Sequence, residues 1–208
     1  MMNKGKFIVF EGIDGSGKST QIKFLKKYLL SKGIDCYTTS EPTDSPFGSL
    51  IHQCMTGRVE TDDKTIAGLF VADRLDHLYN KKDGLIEKIN NGITVISDRY
   101  YFSSYAYHGA YMPMDWVIEA NRLSAEALKP DINIFLDIAP QKSIERLKNR
   151  NSLERYEKIE SMTLIRNKYY EAFELLKEEE KICIIKSSED INITQSMICE
   201  VINELYKF

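Results

Sequence analysis

Phe10-Glu11-Gly12-Ile13-Asp14-Gly15-Ser16-Gly17-Lys18-Ser19-Thr20 is the stretch on which the fold turns. The apolar run Phe7-Ile8-Val9-Phe10 leads into it, and a helical pattern follows with apolar residues at Ile22, Leu25, Leu29 and Leu30. Residues 12–19 match GxxxxGK[ST], and strand–loop–helix is the setting that this motif requires. Glycines 12, 15 and 17 let the backbone turn its N–H groups inward on an anion, and the helix N-terminus adds partial positive charge. The reading assigns the run from Gly12 to Thr20 to the phosphates of ATP. In it Lys18 reaches the β- and γ-phosphates and the Ser19 hydroxyl ligates Mg²⁺. A glycine-rich turn that merely joins strand to helix does not call for Lys-Ser in this register.

Outward from this loop, candidate strands recur at 36–39, which is Cys-Tyr-Thr-Thr, and at 93–97, 132–136 and 182–185, which are rich in Ile, Val and Phe; the expectation is that each is buried on both faces. Helical patterns cover 18–30, 65–90, 116–128, 141–150, 161–180 and 191–206. Gly33 fits the stop of the first, Asn91-Gly92 ends the long 65–90 segment, and Pro130 separates a helix from the fourth strand. The alternation predicts an α/β fold, a parallel five-stranded sheet with helices on both faces, as one domain over 1–208. The charged run 146–157, RLKNRNSLERYE, is either a solvated helix end or a short lid that brings basic groups over the phosphates.

Composition narrows the partners. Across 208 residues, 28 Lys and Arg stand against 31 Asp and Glu, a balance that argues against coating nucleic acid. No apolar run approaches the roughly 20 residues of a membrane span, and the polar first six residues do not resemble a secretory leader. The expectation is a soluble, cytoplasmic protein. Its four cysteines, 36, 54, 183 and 199, have no CxxC or histidine spacing and read as reduced, mostly buried thiols.

Ile93-Thr94-Val95-Ile96-Ser97-Asp98 supplies the second element that the cradle needs, an acid at the carboxyl end of a buried strand, where it can hold Mg²⁺. A GTPase switch would place NKxD at a strand end. Asn80-Lys81-Lys82-Asp83 matches the letters but falls late in a helical pattern, and the only DxxG lies inside the phosphate loop. A motor would need more chain and a basic track. A small-molecule kinase needs an acceptor pocket facing the cradle, and Arg99, directly after Asp98, could clamp an acceptor phosphate. Phe70, Asp73, Arg74 and His77 share one helix face. An aromatic ring one turn from an arginine could serve as a platform for a base, although periodicity alone favours a core phenylalanine.

These segments together resemble the thymidylate kinase family. The residues that carry the resemblance are FEGIDGSGKST, EPTDSPFG at 41–48, LFVADRLDH at 69–77, DRYYFSSYAY at 98–107 and PDINIFLD at 130–137. The resemblance implies transfer of the ATP γ-phosphoryl group to dTMP with Mg²⁺, in a homodimer. It implies that Phe70 stacks on thymine, Arg74 contacts a thymine carbonyl and Ser104 contacts the base. It implies further that Arg99 holds the acceptor phosphate, Asp14 lies near the sugar 3′-hydroxyl and Tyr107 fills the space of a ribose 2′-hydroxyl. Glu41, Pro42 and Tyr156 complete the acceptor set, and Ser19 with Asp98 forms the metal set. The catalytic set is Lys18, Arg99, Asp14 and a lid arginine. Gly15 stands where some members carry a catalytic arginine, which points instead to Arg150, with Arg146 or Arg155 next. His52 stands where many bacterial members have an arginine on the acceptor phosphate. The alternatives are a kinase of another nucleotide or nucleoside, or a nucleotide-binding module without turnover.

Overall fold

The computed structural model describes residues 4–147 and 158–208. Strands β1 (Phe7–Glu11), β2 (Cys36–Ser40), β3 (Thr94–Asp98), β4 (Ile132–Asp137) and β5 (Ile182–Lys186) form one parallel sheet in the order β2-β3-β1-β4-β5. Each lies within one residue of the run that marked it, but β2 and β5, at the edges of the sheet, are only partly buried rather than covered on both faces. Around the sheet are α1 (Lys18–Ser31), α2 (Pro46–Met55), α3 (Asp63–Tyr79), α4 (Leu85–Asn90), α5 (Tyr101–Gly109), α6 (Met114–Ala127), α7 (Pro140–Leu147), α8 (Ile159–Leu176) and α9 (Ile191–Tyr206).

The two-residue period of β1 sorts the core into two layers. Phe7 and Val9 face one side with Val95 and Phe135, against Tyr101, Phe102 and Tyr105 of α5 and Tyr169 and Phe173 of α8. Ile8 and Phe10 face the other with Ile96, Ile134 and Leu136, against Leu25 and Leu29 of α1 and Ile198 and Ile202 of α9. Each large apolar side chain buried this way stabilises the fold by roughly 1.5–3 kcal/mol. The register pairs Phe10 with Asp98 and Glu11 with Phe135, so the phosphate loop leaves the sheet at the carboxyl ends of β3 and β4.

The structure corrects three further expectations. The helical stretch 65–90 is broken into α3 and α4 by a turn at Asn80–Gly84. A Cβ on Gly84 would meet the Asn80 carbonyl at 2.5 Å and the Leu78 carbonyl at 2.8 Å, so the chain closes there only through glycine. The NKxD look-alike therefore sits in the turn between α3 and α4, not on the end of a strand. Next, α5 carries no amphipathic signal because all its residues except Tyr107 are buried. Third, only Cys54 is buried, the other three free thiols being intermediate. Helix α2 lies outside the helical patterns read from the sequence, yet its start is locally written: Pro46 takes the first turn and the Ser45 hydroxyl accepts from the N–H groups of Phe47 and Gly48. Among the described residues, no helix is long and apolar enough to cross a membrane.

Candidate active site

Lys18 opens α1 and is 6% exposed, its ammonium pointing back into the loop that precedes it. The Nζ donates to the carbonyls of Gly12 at 3.0 Å and Ile13 at 3.3 Å and lies 3.9 Å from Asp98. Burial and the nearby Arg99 lower its pKa, while Asp98, Asp14 and Glu11 push the other way. The Ser19 hydroxyl donates to Asp98 Oδ2 at 2.9 Å across the ends of α1 and β3. Ser16 Oγ is buried without a partner in the cradle, a polar atom available to a phosphate oxygen. Gly15 has φ +75°, and a Cβ there would meet the Ser143 carbonyl at 2.8 Å, so α7 packs directly on the loop. The Ser143 hydroxyl fixes that packing by donating to the Asp14 carbonyl.

Asp14 and Arg99 join this cradle to a second chamber. Arg99 has a left-handed backbone, φ 76°, which is strained for a residue with a side chain. Its N–H donates to Phe10 O, and its Nη2 donates to the Asp14 carboxylate and to Tyr107 Oη. Its Nη1 donates to Gly12 O and Ser103 Oγ, each at 3.1 Å. Burial alone would raise the Asp14 carboxyl; Arg99 and Lys18 outweigh it and hold the pKa below the usual carboxylate range. Tyr107 donates to Asp14 at 3.0 Å and lies under the Arg99 guanidinium, 4.8 Å from ring centroid to Cζ.

Beyond this pair lies a pocket whose walls include Phe70, Pro42, Ser104, Tyr107, His108 and His52. Phe70 belongs to neither core layer; its half-buried ring is 5.1 Å from His108 and faces the pocket. Arg74, 1% exposed, lies one layer behind: Nε and Nη2 bind Glu41, and Nη1 donates to Ser104 Oγ at 3.1 Å and to Asn121. Glu41 is buried and also meets His77 Nδ1 at 3.1 Å, while Asp73 accepts from Thr43 and Ser45. Thus α3 presents Phe70 to the pocket and uses Asp73, Arg74 and His77 to hold the 41–45 loop. His52 is exposed at the mouth shared by both chambers.

Of the lid candidates, Arg146 donates to the Gly15 carbonyl at 3.3 Å and to the Ser188 carbonyl at 3.2 Å, on the outer wall of the cradle. Arg150, Arg155 and Tyr156 lie outside the described residues. The structure adds two residues that the sequence reading did not single out. His108 lines the pocket with a pKa lowered to about 3 by burial and by Arg74, so its ring is neutral. Glu11 is fully buried at the end of β1, and an acid closing an otherwise apolar strand, FIVFE, was the available signal.

Comparison with known proteins agrees with this geometry. The family model described as Thymidylate kinase matches residues 10–198. A probable thymidylate kinase of Thermococcus kodakarensis is 38% identical over 210 residues, covering 96% of this chain and 98% of its own. One from Pyrococcus horikoshii is 37% identical over 196 residues, with 91% and 93% covered. The thymidylate kinase of Caldicellulosiruptor saccharolyticus is 35% identical over 208 residues, with 98% of both chains covered. The chain belongs to the thymidylate kinase family, and is a nucleoside monophosphate kinase that phosphorylates dTMP.

Proposed function

We propose that the phosphoryl donor is ATP, seated on residues 12–20, and that dTMP enters the Phe70 pocket with its phosphate on Arg99. The observation that carries this reading is the Asp14–Arg99 pair, which lines both the cradle and the pocket, so two nucleotides would meet where it stands. Ser19 and Asp98 offer adjacent hard oxygens, the donor set that Mg²⁺ takes when substrate phosphates complete its shell. Bound there, Mg²⁺ would offset the charge of the phosphate oxygens.

Lys18 balances the charge of the β- and γ-phosphates, and Arg99 keeps the acceptor oxygen in line by fixing its phosphate. Phosphoryl transfer is catalysed mainly by positioning and charge, so no general base is assigned. Phe70 provides the face on which thymine stacks. The Ser104 oxygen accepts from Arg74, which leaves its own O–H free to donate to a base carbonyl. We therefore give Arg74 the task of orienting Ser104 as well as any contact of its own with the base. Asp14 accepts the sugar 3′-hydroxyl, and Tyr107 takes the space of a 2′-hydroxyl. Glu41 and Pro42 shape the pocket edge. Arg150, with Tyr156 nearby in sequence, supplies the lid groups, and the enzyme works as one domain, in the cytoplasm, as a homodimer.

The test is ADP production with Mg-ATP against dTMP, dUMP, ribo-TMP, dCMP, dGMP, AMP and thymidine. Strong turnover with dTMP and little with the ribonucleotide is expected. Preference for another acceptor would overturn the base pocket and leave the cradle standing.

A further inference from the structure

The carboxylate of Glu11 sits under the turn that carries Arg99, and four donors converge on it. Oε1 accepts the backbone N–H of Tyr100 at 2.9 Å and of Ser103 at 3.3 Å. Oε2 accepts Ser103 Oγ–H at 2.6 Å and lies 3.0 Å from Tyr169 Oη. The two N–H groups are at the start of α5, where helix donors lack their usual i−4 partners, and the Ser103 N–H is shared between Glu11 and the Tyr100 carbonyl at 3.1 Å. No side chain of the cap residue Tyr100 serves them. Glu11, 89 positions before Tyr100 and 92 before Ser103, does so instead. The two hydroxyls on Oε2 are in turn the acceptors of Arg99: its Nη1 lies 3.1 Å from Ser103 Oγ and 3.4 Å from Tyr169 Oη.

We infer that Glu11 is a positioning residue for the acceptor phosphate: by capping α5 and orienting Ser103 and Tyr169, it holds Arg99 in its left-handed turn with the guanidinium at the junction of the two chambers. This rests on the reading that Arg99 binds the dTMP phosphate. Two features support it. A left-handed, side-chain-bearing residue is held against its own backbone preference only when its surroundings over-determine it. Here the N–H of the residue after Arg99 is gripped by Glu11, while the N–H of Arg99 itself is held by Phe10 O, the residue before Glu11. The strand end that launches the phosphate loop therefore also fixes the acceptor arginine, so the two chambers keep a constant separation. The second feature is the choice of an acid. Every neighbour within hydrogen-bond reach of the carboxyl is a donor, and an amide in its place would turn an NH₂ group on at least one of them.

Binding of dTMP and of thymidine, measured by calorimetry on wild type, Glu11→Gln, Ser103→Ala and Arg99→Met, tests the inference. Thymidine has the base and sugar of dTMP without the phosphate. Glu11→Gln and Ser103→Ala are each expected to weaken dTMP by about tenfold, the effect of one lost charge-assisted hydrogen bond relayed to Arg99, with thymidine within about twofold of wild type. Arg99→Met should remove the same phosphate-dependent gain more completely. If Glu11→Gln and Ser103→Ala leave dTMP binding unchanged while Arg99→Met abolishes the gain, the positioning role falls and the Arg99 reading stands. Equal loss of dTMP and thymidine would mark Glu11 as a general structural support and overturn the inference. Should Glu11→Gln fail to fold, Ser103→Ala decides by the same criterion. If Arg99→Met keeps the full gain, the Arg99 reading itself falls.

Discussion

Around the donor phosphates, the site is built mainly on one run of chain, residues 12–20, bent over the start of α1, with Asp98 and Arg146 beside it. Around the acceptor it is assembled from side chains far apart in sequence: Asp14 after β1, Pro42 after β2, Phe70 on α3, Arg99 after β3 and Ser104 on α5. The first chamber uses backbone and a fixed spacing to bind a group common to all nucleotides. The second uses side-chain identity to bind one particular base and sugar. Generality is thus encoded mainly locally and selectivity non-locally, with the Asp14–Arg99 ion pair standing where the two chambers meet, beside Pro42 and His52.

Mutations can break this division, beginning with the largest effect. Lys18→Ala should lower kcat by about 10³-fold, the order expected for removing one group aimed at developing phosphate charge, while the circular dichroism spectrum stays that of wild type. Appreciable residual turnover would remove the cradle from the mechanism. Next, Arg99→Met should raise KM for dTMP by about 10²-fold in steady-state assays and leave KM for ATP near wild type, since it removes from a part-buried pair the charge assigned to the acceptor phosphate. A parallel rise for ATP would show that the chambers are one unit. Phe70→Ala should weaken dTMP by about 5- to 100-fold, the range for losing one base-stacking ring, with Tm nearly unchanged because that ring lies outside both core layers.

The smallest effect concerns pH and has opposite signs at two buried groups. His108, lowered to about 3, binds fewer protons in the fold than in the unfolded chain, so its contribution is full above about pH 6.5 and lost as pH falls toward 3. Glu11, raised to about 7 chiefly by burial, binds more protons in the fold; its contribution is full below about pH 4.5 and lost as pH rises through 7. Across pH 4.5 to 8.5, the Tm of His108→Gln should therefore fall less toward the acid end than that of wild type, and the Tm of Glu11→Gln should fall less toward the alkaline end, each by a few degrees on top of any constant offset from lost hydrogen bonds. Parallel profiles for all three proteins would place neither group in the titration.

What the sequence made legible follows the same division. The central strands β1, β3 and β4 were readable because they are buried on both faces and announce themselves by composition, whereas the edge strands β2 and β5 are only partly buried. The cradle was readable because its geometry is written in consecutive residues. Helix α5 was not, since its capping carboxylate comes from β1 and its sides are buried all round. Phe70 could be lifted from core to pocket only by family resemblance, because helical spacing is the same for both. Arg74 was recognisable as important, but only the fold shows how much of its hydrogen-bonding capacity is spent on Glu41, Ser104 and Asn121.

The division of labour along α3 has a consequence for how this chain can change over generations. Phe70, Asp73, Arg74 and His77 act together only because they share one helical face, and each inserted or deleted residue turns everything beyond it by about 100°. A length change between 70 and 77 would therefore tear the base platform from the anchors of the 41–45 loop in a single event. The turn at Asn80–Gly84 lies just beyond the last of these anchors. Drift in chain length should collect there, and the segment before it should accept substitutions while keeping its length.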